Sequence, residues 1–237
     1  MAGPLEVEAP AVVLAVYAHP DDADVACGGT LARWAGQGSE VHLVVCTDGG
    51  KGSTDPACDP GELAQRRAGE LAEAAALIGL ASFEVLGHPD GELGDDPAFR
   101  QALVAAVRRL RPEAVFGHDP TAVFFGQHYF NHRDHRAAGW ALLDAVAPAA
   151  ALPHYFPSAG APHQVASVYL TGSLEPDVWV DVSATIEVKA AAVECHRSQF
   201  AEGQGWAGDA VRLRAEEEGR RAGVPYAEGF RRLRLGG

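Results

Sequence analysis

The chain has 237 residues, 47% hydrophobic and 22% charged, values that suit one large α/β domain with a sizeable core. Its formal net charge of -13 argues against a nucleic-acid partner, because phosphate binding needs clustered Lys and Arg. Cys27, Cys46, Cys58 and Cys195 form no C-x-x-C pair, which argues against a disulfide framework or a thiolate zinc site and points to reduced thiols in a cytoplasmic protein.

The first apolar run, residues 11–18, is too short to span a bilayer. It follows Glu6 and Glu8, where a secretory leader would be basic, and reads as a core strand over 11–17. Further strands are expected at 41–46, 82–86 and 114–117, alternating with helices near 24–37, 61–79 and 97–110. Gly36 and Gly38, Gly79 and Pro112 supply the helix stops. Apolar strands alternating with helices describe a Rossmann-like, doubly wound, mostly parallel sheet with helices on both faces. After residue 148 the regularity fades: Pro148, Pro153, Pro157 and Pro162 mark a surface loop suited to framing a pocket. Strands at 165–170 and 178–182 and a helix near 183–200 follow, then Arg231, Arg232 and Arg234 in a charged tail read as helical. No repeat or long linker interrupts the chain, so the economical count is one domain, 1–237, with its core at about 10–200.

The chemistry concentrates in two clusters. Ala18-His19-Pro20-Asp21-Asp22 follows the first strand, and ligands of open α/β sheets bind outside the carboxyl ends of strands. His132-Arg133-Asp134-His135 lies more than a hundred residues downstream. His and Asp bind zinc, and a catalytic site keeps three protein ligands with one position open. Taken singly, each piece has a plainer reading. His-Pro-Asp recurs at His88-Pro89-Asp90, and Asp24 could cap the following helix. Together the clusters point to one metal site built from both. Thr47-Asp48-Gly49-Gly50-Lys51-Gly52 lacks the spacing of a phosphate loop, and the first strand is followed by no G-x-G-x-x-G, which argues against a dinucleotide site. Trp34, Trp140 and Trp179 read as packing, as does His42; Phe124-Phe125 and His128-Tyr129-Phe130 suit either an acyl pocket or the core; His118, His154 and His163 carry no partner pattern.

The segments AHPDDADVACGGTLARWAGQGSEVHLVVCTDGGKG and NHRDHRAAG resemble the PIG-L/LmbE-like family of zinc-dependent N-acetylglucosaminyl deacetylases. The resemblance continues through Arg67-Ala68-Gly69-Glu70-Leu71, Gly87-His88-Pro89-Asp90-Gly91 and Lys189 to His196-Arg197-Ser198-Gln199. It implies His19, Asp22 and His135 as zinc ligands and Asp21 as general base. It implies His132 as the imidazolium that stabilises the oxyanion, with Asp134 orienting it. Arg67 and Asp90 match sugar contacts, and His196 a residue at the pocket rim. Two positions depart from the family: Phe130 stands where some relatives carry a Tyr whose hydroxyl serves the oxyanion, and Arg133 replaces the usual Pro.

These roles suit amide hydrolysis. Zinc polarises the carbonyl and lowers the pKa of water toward about 7, an unligated carboxylate takes the proton, and a donor at the oxyanion contributes roughly 3–4 kcal/mol. Either Asp21 or His132 could protonate the leaving amine. The leading expectation is a hydrolase that removes the N-acetyl group of a GlcNAc-type amide, releasing acetate and a free amine. One zinc per chain is expected, with Fe2+ open as an alternative. The partner is a small N-acetylated sugar or glycoconjugate, with no membrane span and with homo-oligomerisation left open. A metal-dependent phosphoesterase and a non-catalytic, metal-stabilised sugar-binding module are the alternatives.

Overall fold

Val12–Tyr17, an uninterrupted apolar run, forms strand β1 near the middle of the sheet. The computed structural model describes residues 3–6, 8–200 and 205–235. From β1 the chain runs through α1 (Asp22–Gly36), β2 (Glu40–Thr47), α2 (Pro60–Ile78), β3 (Ser82–His88), α3 (Pro97–Leu110) and β4 (Ala114–His118). A hairpin of β5 (Phe124–Phe125) and β6 (Tyr129–Phe130) leads into α4 (Arg133–Asp144). Then come β7 (Ser167–Thr171), β8 (Val178–Asp181), α5 (Ile186–Cys195), α6 (Arg197–Phe200), α7 (Trp206–Ala222) and β9 (Ala227–Arg234).

The seven-stranded sheet has the order β3-β2-β1-β4-β7-β9-β8. Parallel pairing joins β3 through β7, while β9 runs antiparallel to both β7 and β8. Strand alternation sends successive side chains to opposite faces. Val13, Ala15 and Tyr17 therefore join a core with Trp34, Phe116 and Phe230, and Leu14, Val16 and Ala18 join another with Phe99, Leu103 and Leu142. Helices cover both faces, as the alternation of elements requires. After β3 the chain returns to place β4 on the free side of β1, so the order reverses between these two strands. Crevices at such a switch point are where open α/β sheets bind ligands.

The chain departs from the sequence reading in its second half. The tail is helical only through α7; β9 then inserts between β7 and β8, burying Ala227 and Phe230 while Arg231 and Arg232 are half-buried and Arg234 is exposed. The helix expected near 183–200 breaks at His196, whose backbone leaves the helical region (φ -80, ψ 57) between α5 and α6. Residues 148–163 frame no pocket at the metal motifs. They wrap α3, where buried Arg108 donates to six carbonyls, those of Ala149, Ala150, Leu152, Tyr155, Phe156 and Gly160. Asp24 does not cap α1, which begins two residues earlier, at Asp22.

Candidate metal centre

The turn after β1 carries His19, Asp21 and Asp22, and β4 ends on His118 beside it. The N-terminus of α4 brings His132, Asp134 and His135 to the same place, because α4 packs closely against β4. A Cβ at Gly139 would lie 2.6 Å from the His118 carbonyl oxygen, so only glycine allows this approach.

His19 Nδ1 lies 3.2 Å from His135 Nε2 and 3.3 Å from Asp22 Oδ2, and His135 Nε2 lies 3.1 Å from Asp22 Oδ1. Ligand atoms about 2.0 Å from a tetrahedral zinc stand about 3.3 Å from one another. The three residues thus stand at spacings of the size one divalent cation needs, with Asp22 facing His19 through Oδ2 and His135 through Oδ1. The outer nitrogens are held for the purpose. His135 Nδ1 lies 3.1 Å from Asn131 Oδ1, which accepts its proton and leaves Nε2 as the free lone pair. His19 Nε2 faces Asp90 Oδ1 at 3.2 Å and Asp134 Oδ2 at 3.5 Å, which leaves Nδ1 toward Asp22 and His135. Other combinations of His19, Asp22, Asp90, His118, His132, Asp134 and His135 also bring ligand atoms within 4.8 Å, so the centre is a dense nest of donors.

Asp21 takes no part in the triangle. It precedes α1 without capping it, and its Oδ1 instead accepts from Arg67 Nη2 at 2.7 Å. Arg67 is 3% exposed and also donates to the Gly49 carbonyl, so the Asp21 carboxylate is held by a fixed guanidinium.

The electrostatics follow this crowding. Burial opposes charge on His19, but Asp22, Asp134 and Asp90 outweigh it and raise its pKa to about 12. Burial likewise opposes ionisation of Asp22, yet His135, His118 and His19 hold its carboxyl well below the usual range. Burial drives His118 down to about 4, and the nearby His135 adds to the effect against the pull of Asp22. His132 is also lowered, first by burial and then by the charge of His19.

Four expectations change in detail. The resemblance implies His132 as an imidazolium; here its Nδ1 accepts the Asp134 backbone N–H at 3.2 Å, which leaves Nε2 as the nitrogen that can carry a proton. Asp134 was expected to orient His132 through its carboxylate; that carboxylate instead accepts from the backbone of Gly91 and Leu93 and faces His19. Arg67 and Asp90, expected at a sugar, are both buried and engaged by Asp21 and His19. His196, expected at the pocket rim, is wholly enclosed, and its Nε2 lies 2.6 Å from Asp24 Oδ2.

Sequence reasoning missed His118 and Asn131. His118 had a usable signal, since it ends a strand beside β1 at the switch point, whereas Asn131 had none beyond preceding the second cluster. Phe125 and Tyr129 line a cavity of about 410 Å³ together with Asp22, His118, Asn131 and His135. Phe130 and Phe124 face solvent at 64% and 70% exposure.

Residues 14–146 match the PIG-L family, described as GlcNAc-PI de-N-acetylase. The chain belongs to this family. It is 35% identical over 225 residues to the diacetylchitobiose deacetylase of Thermococcus kodakarensis, covering 92% of this chain and 82% of that protein. It is 36% identical over 178 residues to a 1D-myo-inositol 2-acetamido-2-deoxy-alpha-D-glucopyranoside deacetylase of Saccharopolyspora erythraea, covering 65% of this chain and 62% of that protein. The crystal structure of N,N'-diacetylchitobiose deacetylase from Pyrococcus horikoshii superposes with a TM-score of 0.86 at 31% identity, covering 95% of this chain and 84% of that one.

Proposed function

We propose that the protein is a zinc-dependent hydrolase that removes the N-acetyl group from a GlcNAc-type sugar or glycoconjugate, releasing acetate and a free amine. The observation that carries this reading is the triangle of His19 Nδ1, Asp22 and His135 Nε2 with an unligated carboxylate, Asp21, next to it. Its substrate class is supported by the deacetylase relatives. The same proposal treats residues 1–237 as one domain in the cytoplasm, a setting supported by the free, buried cysteines Cys27, Cys46 and Cys195. No helix among the described residues is long and apolar enough to cross a membrane.

His19, Asp22 and His135 would hold the cation, which when bound supplies Lewis-acid polarisation of the amide carbonyl and acidifies water. Asp21 takes the proton of the attacking water, and Arg67 keeps its carboxylate oriented for that transfer. His132, through Nε2–H, donates to the oxygen on which negative charge develops. Asp21, once protonated, and His132 are the two groups that can return a proton to the leaving nitrogen. Arg67 and Asp90 serve the reaction through Asp21 and His19. Phe130 offers no hydroxyl, so in this reading His132 serves the oxyanion; the neighbouring Tyr129 lines the cavity beside Asp22 and His135.

The test is incubation of zinc-loaded protein with a panel of N-acetylated sugars, scoring released primary amine and acetate, beside Asp21→Asn. Amine and acetate released in equal amounts by wild type alone support the reading. Ligand affinity equal in both proteins, with turnover in neither, would instead support a binding module.

A further inference from the structure

Outside the triangle and Asp21, one buried polar side chain touches two of the three candidate ligands. His118 is 7% exposed. Its Nε2 lies 3.2 Å from Asp22 Oδ2, and its ring stacks on the ring of His135 with centroids 4.0 Å apart and planes 8° from parallel. The ring meets Tyr17 edge-on, with centroids 4.9 Å apart; Nε2 is also 3.3 Å from the Ala18 nitrogen, and only with its proton on Nε2 does it donate to Asp22 Oδ2 rather than accept from that N–H. We infer that His118 is a positioning residue for the metal centre, holding Asp22 and His135 at once in ligating orientation.

Each ligand keeps a degree of freedom that its other hydrogen bonds among the described residues only partly restrain. Asp22 can rotate its carboxylate. Oδ2 accepts from the His19 backbone N–H at 2.7 Å, and His118 Nε2 meets this oxygen from the β4 side. Held from both sides, the carboxylate keeps Oδ1 toward His135 Nε2. His135 is tethered at Nδ1 by Asn131, but one hydrogen bond leaves its ring free to tilt about that contact. The parallel face of His118 limits the tilt. His118 can do this because it ends β4, whose register with β1 is fixed by backbone pairing from Val13 to Val16. The sheet thereby sets the ligand geometry through one side chain.

The geometry also separates a positioning role from ligation. Asp22, His118 and His135 do bring one donor atom each within 4.8 Å, but the two rings stack face to face at 4.0 Å with their nitrogens along parallel edges, whereas ligands of one tetrahedral ion converge on it from different directions. His118 therefore acts through Asp22 and His135. This inference rests on the metal-centre reading above, and its experiment distinguishes the two.

Zinc affinity is measured by chelator competition for wild type, His118→Phe, His118→Gln and His118→Asn, with Co2+ absorption reporting the ligand number and circular dichroism reporting the apoprotein fold. Phe keeps a stacking face without nitrogens. Gln carries a donor near the place of Nε2, and Asn is one carbon too short to reach Asp22. Loss of an outer contact of this kind weakens metal binding about 10–100-fold. The expected result is that Phe and Asn lose that factor, Gln recovers most of it, and the Co2+ spectrum keeps its wild-type form in all. If Phe folds poorly, the Gln and Asn pair still decides, since a general structural role would not rank one amide above the other by reach. Wild-type affinity in Asn, or a Co2+ spectrum showing a lost ligand, would overturn the inference. Wild-type protein that binds no zinc would instead overturn the metal-centre reading itself.

Discussion

Asp21 and Asp22 are adjacent and chemically identical, yet the turn after β1 sends them to different partners. Asp22 meets His19 and His135, while Asp21 meets the buried guanidinium of Arg67. Division of labour follows, and it is testable by pairing turnover with metal content. Asp21→Asn is expected to lower turnover by about 10²–10⁴-fold with zinc content unchanged. Arg67→Met frees the Asp21 carboxylate and is expected to lower kcat by about 10²-fold, because small misplacements of a reacting group are that costly; an unaltered kcat would contradict the clamp. His196 presents a different case. Burial disfavours its charge, but the hydrogen bond and charge of Asp24 raise its pKa above the usual value. The ionised form therefore stabilises the fold, fully below pH 6.5 and progressively less as pH climbs through the raised value. His196→Gln is expected to cost about 3–5 kcal/mol near pH 6, with the gap to wild type in urea denaturation narrowing as pH rises through the raised pKa. A gap that stays constant with pH would refute the ion pair. The residue types of both clusters were legible because the two occur together and match the motifs of one family, although each alone has a plainer reading. The partners of Asp134, Asp90 and Arg67 were not, since carboxylates and guanidinium groups can reach several neighbours and the choice among them is made in three dimensions.

At the scale of elements, the approach of α4 to β4 and the wrapping of α3 by the 148–163 loop carry most of the consequence. A Cβ at Gly139 would meet the His118 carbonyl and the Pro120 ring, neither of which can swing away. Gly139→Ala is expected to cost about 1–3 kcal/mol by overpacking and to weaken zinc binding by displacing His132 and His135 together; undisturbed zinc affinity would contradict the packing argument. Arg108 offers a control far from the chemistry. With its six carbonyl partners orphaned, Arg108→Met is expected to lose about 2–4 kcal/mol and to raise hydrogen exchange within 148–163, while Asp21 and its neighbours keep their activity in the remaining folded protein. β1, β2 and β4 were readable because a buried parallel strand is a short, nearly continuous apolar run, as in Val12–Tyr17 and Val41–Cys46. The loop was recognised from its prolines, but its destination was not. The guanidinium that gathers its carbonyls lies some fifty residues upstream, on a helix that shows no local sign of it.

For the whole molecule, β9 is the element that local pattern could not assign. Its Ala-Glu-Gly-Phe-Arg-Arg-Leu-Arg run carries the charge density of a solvated helix, and only the gap between β7 and β8 makes it a strand. It also closes the fold. Glu228, 4% exposed, accepts from Gly29, Thr30 and Lys189, joining the C-terminal strand to α1 and α5. The first half of the chain thus supplies the metal motifs, and the last strand locks the helix that begins at Asp22. The chemistry depends on two distant segments meeting around one cation while a second carboxylate, Asp21, stays off it. Zinc-edge anomalous diffraction from crystals of zinc-loaded protein tests that most directly. The result predicted is one zinc per chain bonded to His19 Nδ1, Asp22 and His135 Nε2, with a coordination position left to solvent and Asp21 unbound. A peak elsewhere, or Asp21 among the ligands, would contradict it.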